Sequence, residues 1–288
     1  MAFTHRVIKL KFKLGSGVFN SGSDDTVEIE GLRCSANIVH QGIGYAEADV
    51  QVWGMPLELM NKLTVLNKVR FEQQVNNQLI IEAGDENGTA MCFGGAVWEA
   101  WADGRQAPDV VFHVSANSGL FVLSQSIPPT SYKGSVDAAF VISGIAQQMG
   151  YAFENSGVTG RLTDPYKPGS PKSQIESVCN DVNCAWTVDD ANKVVAIWPK
   201  DGARDGDVLT ISKDTGLVGY PSFTQAGIQF TTLFNPSLEF GRKIKMESQF
   251  QTANGQWQVY GLAHRLESNL PGGEWFTDVE CMYLDHTT

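Results

Sequence analysis

The last quarter of the chain carries three strand-like runs, Gly216-Leu217-Val218-Gly219-Tyr220-Pro221, Gly227 to Gly241, and Trp257 to His264, cut apart by Gly, Pro and Asn. Short apolar runs between turn-forming residues are the pattern of antiparallel β-structure, and Asn254-Gly255 ahead of Trp257 predicts a tight hairpin. This layout points to a small β-barrel, and it holds no catalytic constellation.

The N-terminal third obeys the same grammar. Ile8, Leu10, Phe12 and Leu14 alternate with Lys9, Lys11 and Lys13, so one face of a strand is apolar and the other solvated or turned to a partner. Val27 to Ile38 reads as one or two strands and Ala46 to Trp53 as another. Pro56 opens a helix through about Leu66, because proline at the first helical position forfeits no hydrogen bond. Phe71 to Val75, Gln78 to Ala83 and Met91 to Ala102 read as further strands, with turns at Asn76-Asn77 and Glu86-Asn87-Gly88.

The pattern changes after the hydrophilic stretch Asp103 to Pro108. Val110 to Ser115 and Leu120 to Ser126 read as strands, Ser135 as the cap of a helix carrying Val136, Ala139, Phe140, Ile145 and Met149, and Ser170-Pro171 as the start of a second helix. Ala185 to Val188 and Val194 to Trp198 form a hairpin. A second polar stretch, Asp201 to Asp207, leads back to strands. The chain is therefore expected to be mainly β with an α+β insert: a first tube-like β-barrel domain over 1–105, the insert over 106–203, and a second tube-like β-barrel domain over 204–288. Pro56-Leu57-Glu58 and Pro236-Ser237-Leu238-Glu239 are a short echo between the outer two.

Composition excludes several classes. A net charge of −11 and a pI near 4.9 have the wrong sign for gripping phosphates, so specific nucleic-acid binding is not expected. Lysines interrupt the only N-terminal stretch resembling a secretion signal, and no run approaches the roughly 18 apolar residues that span a bilayer, so no membrane anchor is expected. Cys34, Cys92, Cys179, Cys184 and Cys281 are odd in number and lack zinc-module spacing, as reduced core thiols would.

Chemistry is sparse. His5, His40, His113, His264 and His286 have no nucleophile motif around them, and Gly15-Ser16-Gly17 is not a nucleophile elbow. Asp85-Glu86-Asn87-Gly88 lacks the alternating ligands of a calcium loop and reads as a turn, as does Asp189-Asp190. No catalytic residue, metal ligand or cofactor site is assigned. Trp53, Trp98, Trp101, Trp186, Trp198, Trp257 and Trp275 fall in or beside strands, where core packing or a subunit interface accounts for them better than a sugar-binding face.

The order of a Gly-x-Pro segment, an apolar strand, Leu233-Phe234-Asn235-Pro236-Ser237-Leu238-Glu239-Phe240-Gly241, a hairpin and a final strand resembles the C-terminal part of bacteriophage baseplate or tail hub proteins. Val27 to Ile38 followed by Asp49 to Leu63 is similar to the first barrel of that family. The resemblance implies a homotrimeric ring at the tail tip that joins a sixfold tail tube to a threefold spike and surrounds the DNA channel. It implies as partners the tail tube or tape-measure protein, the spike and neighbouring baseplate proteins. It also implies a structural virion protein, not an enzyme, assembled in the host cytoplasm. The other reading is a carbohydrate-binding tail or adhesion protein.

Overall fold

A computed structural model of the chain describes residues 5–19, 24–42, 44–66, 76–105 and 107–284. The N-terminal part contains β1 (Arg6–Lys13), β2 (Thr26–Ile29), β3 (Cys34–Gln41), β4 (Glu47–Trp53), α1 (Leu57–Leu63), β5 (Val65–Leu66), β6 (Gln78–Asp85), β7 (Gly88–Asp103) and β8 (Val111–Asn117). The middle holds α2 (Leu120–Ser124), β9 (Thr130–Ser131), β10 (Ser135–Asp137), α3 (Ala138–Met149), β11 (Ala152–Asn155), β12 (Arg161–Thr163), β13 (Tyr166–Lys167), α4 (Pro171–Asp181), β14 (Cys184–Asp189) and β15 (Val194–Pro199). Then follow β16 (Arg204–Ile211), β17 (Leu217–Phe223), β18 (Gly227–Leu233), β19 (Arg242–Met246), β20 (Gly255–Ser268) and β21 (Trp275–Tyr283).

The fold is mainly β. Among the described residues fourteen strands form one sheet whose main path is β17-β18-β21-β20-β3-β4-β8-β7-β6-β1-β2, with β16 and β19 branching from β20 and β5 from β7. Among the described residues this path has two ends, at β17 and β2, and does not close on itself. It curls enough for β1 to return against β20, and the apolar faces of β1, β3, β4, β6 and β8 meet around Leu10, Phe12, Val52, Leu79, Ile81 and Phe112. A second apolar cluster lies between β18, β19, β20 and β21 around Ile228, Ile244, Val259 and Cys281. Strand β20 serves both: Trp257, Val259 and Leu262 pack in the second cluster, and Leu266 in the first.

The sheet contains the same construction twice. In the order β3-β4-β8-β7, two hairpins lie side by side with the second reversed, and β17-β18-β21-β20 repeats this. The long strands β7 and β20 each pair first with a flanking strand, β6 or β19, and then with their hairpin partner. Each has one β-bulge against that partner, at Trp98 between Val97 and Glu99 and at Tyr260 between Val259 and Gly261. Superposing the two bulges through the registers sets Asp49 against Gln229 and carries Pro56 onto Pro236, the echo seen in the sequence. Gly95 lets β7 leave β6 for β8, since a Cβ there would stand 2.7 Å from the backbone of Asn117.

Several expectations change. Leu120 to Ser126 is not a strand: after Gly119 at φ +69 the chain turns into α2 and buries Leu123 against the insert core. The cap of α3 is Asp137, whose carboxylate accepts from the Ala139 amide, while Ser135 lies in β10. The buried stripe of α3 is Ala138, Val141, Ile142, Ile145, Ala146 and Met149, leaving Phe140 exposed. Pro56 is the residue before α1, and the helix stops at Leu63 because Val65–Leu66 pairs with β7. Asp103 to Pro108 is the β7 to β8 connection, so β8 stays in the long sheet and its Phe112, Val114 and Ala116 in the first cluster. Strand β16 begins inside the second polar stretch. Asn254-Gly255 is not a two-residue turn: a 3-10 turn at Gln251–Ala253 precedes it, and the Asn254 side chain accepts from the Ser248 amide to close the loop. Phe71 to Val75 and His286 lie outside the described residues.

Candidate functional site

Because side chains alternate across a strand, the registers decide which residues share a face. Leu233, Phe276, Arg265, Asn37, Asp49, Ser115 and Glu99 stand opposite one another across β18, β21, β20, β3, β4, β8 and β7. The neighbouring rows on the same face contain Thr231, Asp278, Ala263, Val39 and Glu47, and Glu267, Ser35, Gln51, His113 and Trp101. Asp103 stands one row further out, opposite Val111, and Glu280 opposite Gly261.

This is an acidic wall. The eight strands of the two blocks contain seven carboxylates, Glu47, Asp49, Glu99, Asp103, Glu267, Asp278 and Glu280, and every one points to this face. Arg265 is their only Lys or Arg, and it is committed to Asp278 at 2.6 Å and to Glu274. The flanking strands contain eight basic side chains, Arg6, Lys9, Lys11 and Lys13 on β1, Arg204 on β16, and Arg242, Lys243 and Lys245 on β19, while Arg105 pairs with Asp103 at the edge of the wall. The three β1 lysines pair with Glu30, with Glu28 and Glu82, and with Asp25.

Hydrogen bonds orient two of the wall's carboxylates. Ser115 donates to Asp49 at 2.6 Å and Thr231 to Asp278 at 2.6 Å. Burial pushes the Asp278 carboxyl up, but its bonds from Arg265 and Thr231 outweigh that and its pKa is lowered. The Arg105 guanidinium and amide beside Asp103 bring it down to about 2. Asp103 and Asp278 therefore stay charged throughout the neutral range.

The residues singled out in the sequence are scattered. His40 stacks on Phe240 at 4.2 Å and shares a 3.0 Å hydrogen bond with Thr187; His264 shares one of 2.9 Å with Thr277. Burial, with Arg204 nearby, pulls His40 down to about 3, and burial pulls His264 down to about 4. His113 stacks on Trp101 at 4.4 Å. The five cysteines are free thiols, and burial pushes Cys34 and Cys92 up to about 12. Trp186, Trp198 and Trp257 are buried. Asp85 closes a turn onto the Asn87 amide, Asp189 holds Asn192, and Asp190 accepts from Gly119, Tyr151 and Lys193. Among the described residues no three His, Cys, Asp or Glu side chains gather as a metal site, and no helix is long and apolar enough to cross a membrane.

The insert meets the blocks through packing of Trp198 on Phe240, the Thr187–His40 hydrogen bond and one buried cation. Arg204 donates to Glu154 of β11 at 2.9 Å and 3.2 Å and to the Phe240 carbonyl, with Glu239 at 3.5 Å. Burial opposes the Glu154 charge, yet the Arg204 bonds lower its pKa. Sequence reading placed Arg204 in a polar hinge; only its near-complete burial marks it as a clamp.

The fold is shared with phage tail proteins of known structure. The 43 kDa tail protein of prophage MuSo2 from Shewanella oneidensis matches with a TM-score of 0.59 at 8% identity over 95% of this chain and 97% of that one. The tail protein from Neisseria meningitidis MC58 matches with a TM-score of 0.60 at 9% identity, covering 96% of both. The c3393 protein of E. coli is described as a type VI secretion component structurally similar to the T4 tail proteins gp27 and gp5. It matches with a TM-score of 0.56 at 10% identity over 89% of this chain and 75% of its own. No curated protein sequence matches. The chain belongs to the baseplate hub gp41 family, whose model matches residues 7–281.

Proposed function

We propose that this chain is the structural hub of a phage baseplate: three copies close a ring that joins a sixfold tail tube to a threefold spike and surrounds the DNA channel. The observation that carries the reading is the repeated block. One chain holds two four-stranded units of identical order joined edge to edge, so three chains supply six similar units, which fits a threefold assembly to a sixfold one. Each block with its flanking strands plays the part of a tube-like barrel domain, completed by its neighbours.

The acidic face is the channel wall in this reading. DNA carries about one negative charge per 1.7 Å of axis, and lysines on the wall would hold it by counterion release. A wall of carboxylates leaves the polymer mobile. Lys9, Lys11 and Lys13 share this face of the curled sheet but stand on β1, two strands beyond β7, and each is paired with a carboxylate, which mutes their pull on a polymer. The insert, residues 118–203, lies outside the ring and meets neighbouring baseplate parts. Spike and tube or tape-measure proteins are the partners; the likeness of the c3393 protein to gp27 and gp5 supports a spike neighbour. The hub is a virion component assembled in the host cytoplasm, with no catalytic side chain, cofactor or metal. The carbohydrate-binding reading loses support because three of the indoles it would use are buried.

Copy number at the tail tip, counted by electron microscopy or native mass of the isolated baseplate, tests the ring: three is expected, and two, four or six contradict it. A cell-wall zymogram of the purified protein is expected to be blank; reproducible clearing lost on one acid-to-amide change would overturn the structural assignment.

A further inference from the structure

We infer that the edge of β17 pairs antiparallel with the distal rungs of β7 in a second copy of this chain, with Phe223 opposite Ala102 and Ser222 opposite Asp103. The inference rests on the ring reading and assigns its contact and register. Its template is inside the molecule, where β3 of one block lies against β20 of the other with Ile38 opposite His264 and Asn37 opposite Arg265.

The bulges fix the correspondence. With Trp98 set on Tyr260, Ala102 falls on His264 and Asp103 on Arg265. The same registers carried across each block set Asn37 on Ser222 and Ile38 on Phe223. Applying the internal contact to the two unmatched edges gives the stated pairs with no free choice. Among the described residues β17 pairs only with β18, and Trp101, Ala102 and Asp103 pair only with β8.

Two further observations fit. Strand β5 covers Glu99 and Ala100, which correspond to Gly261 and Leu262, where the last two residues of β3 lie. Strand β17 ends at Phe223 and turns at Thr224, so an incoming β17 reaches no further than Ala102. The short β5 thus fills the rungs the incoming strand leaves open and does not collide with it. Burial gives the second: Ile38 is 3% exposed in the internal contact, while Phe223, its counterpart, is 56% exposed. An exposed apolar strand edge is a pairing surface unless protected.

The test is a cysteine pair in assembled tails. Directly opposed residues in an antiparallel pair have Cα atoms about 4.5–5.5 Å apart, within the range a disulfide bridges. Tails carrying Ser222→Cys with Asp103→Cys are treated with diamide, which takes up the two electrons and two protons as each S–S bond forms. Denaturing gels without reductant should show covalent dimers and trimers at least tenfold above either single variant. Phe223→Cys with Ala102→Cys is the second pair if the first impairs assembly, and Asn37→Cys with Arg265→Cys is the control that must close within one chain. Three copies at the tail tip with neither intersubunit pair closing, while the control closes, would overturn the register and leave the ring. A copy number other than three would overturn the ring reading itself.

Discussion

The two strand blocks share an order but not a fate. On one side of the molecule β20 is covered along eight residues by β3, and the seam buries Ala36, Ile38 and His264. On the other side the equivalent stretch of β7 meets only two residues of β5, and the equivalent of β3, strand β17, keeps Val218, Tyr220 and Phe223 exposed. The flanking strands differ as well: β1 runs antiparallel to β6, whereas β16 runs parallel to β19. A duplicated unit thus satisfies its sheet edge once internally and leaves the second edge without a strand partner among the described residues. The difference teaches that equal strand order does not give equal edges, and the open one is where the proposed contact falls.

The largest expected effect sets the two equivalent positions against each other. Ile38→Asp places an unpaired carboxylate in the internal seam and should cost about 3–5 kcal/mol in denaturant unfolding of the isolated chain. Phe223→Asp, at the open edge, should cost under about 0.5 kcal/mol in the same assay yet prevent ring assembly. Equal losses of stability at both sites would break the comparison.

Acid should open the covered seam selectively, since the buried His264 and the half-buried His40 lie on it and β17 has no histidine. His40 and His264 are held to about 3 and about 4, so they stay neutral in the fold, while the unfolded chain takes up protons near pH 6.5. The unfolded state binds more protons below that value, so stability is complete above pH 6.5 and falls as pH drops towards 4, and for His40 towards 3. The slope is up to about 1.4 kcal/mol per pH unit for each histidine. Urea midpoints from pH 7 to pH 4 check this, and His264→Gln should flatten the curve.

A smaller effect separates the insert from the blocks. Arg204→Ala leaves Glu154 and the Phe240 carbonyl without their buried donor and should cost about 2 kcal/mol, with faster proteolysis between residues 199 and 205. Least of all, Lys11→Ala removes half-exposed pairs to Glu82 and Glu28 and should cost under about 1 kcal/mol by thermal unfolding, less still in high salt.

Much of this was legible in the sequence, and the reasons differ by element. The alternation of Ile8, Leu10, Phe12 and Leu14 gives β1 directly, and Ser170-Pro171 gives the start of α4, because local pattern decides both. Helix α2 has no local signal, since Leu120-Phe121-Val122-Leu123-Ser124 is too short to show a period. The double role of β20 is invisible locally: a strand's alternation says which side chains are buried, never which strand lies beside it. Net acidity points to an acidic wall, but which residues form it is invisible for the same reason. Its carboxylates run from Glu47 to Glu280, and only the registers bring them onto one face. The Pro56 and Pro236 echo was visible, but its meaning came from the bulges.

Electron cryomicroscopy of the assembled tail tip, at a resolution that traces side chains, tests the central claim most directly. The account predicts three copies with Asp49, Glu99, Asp278 and Glu280 facing the channel and the β1 lysines directed away from it. A ring whose lumen is lined by Lys9, Lys11 and Lys13, or whose acidic face points outward, would contradict it.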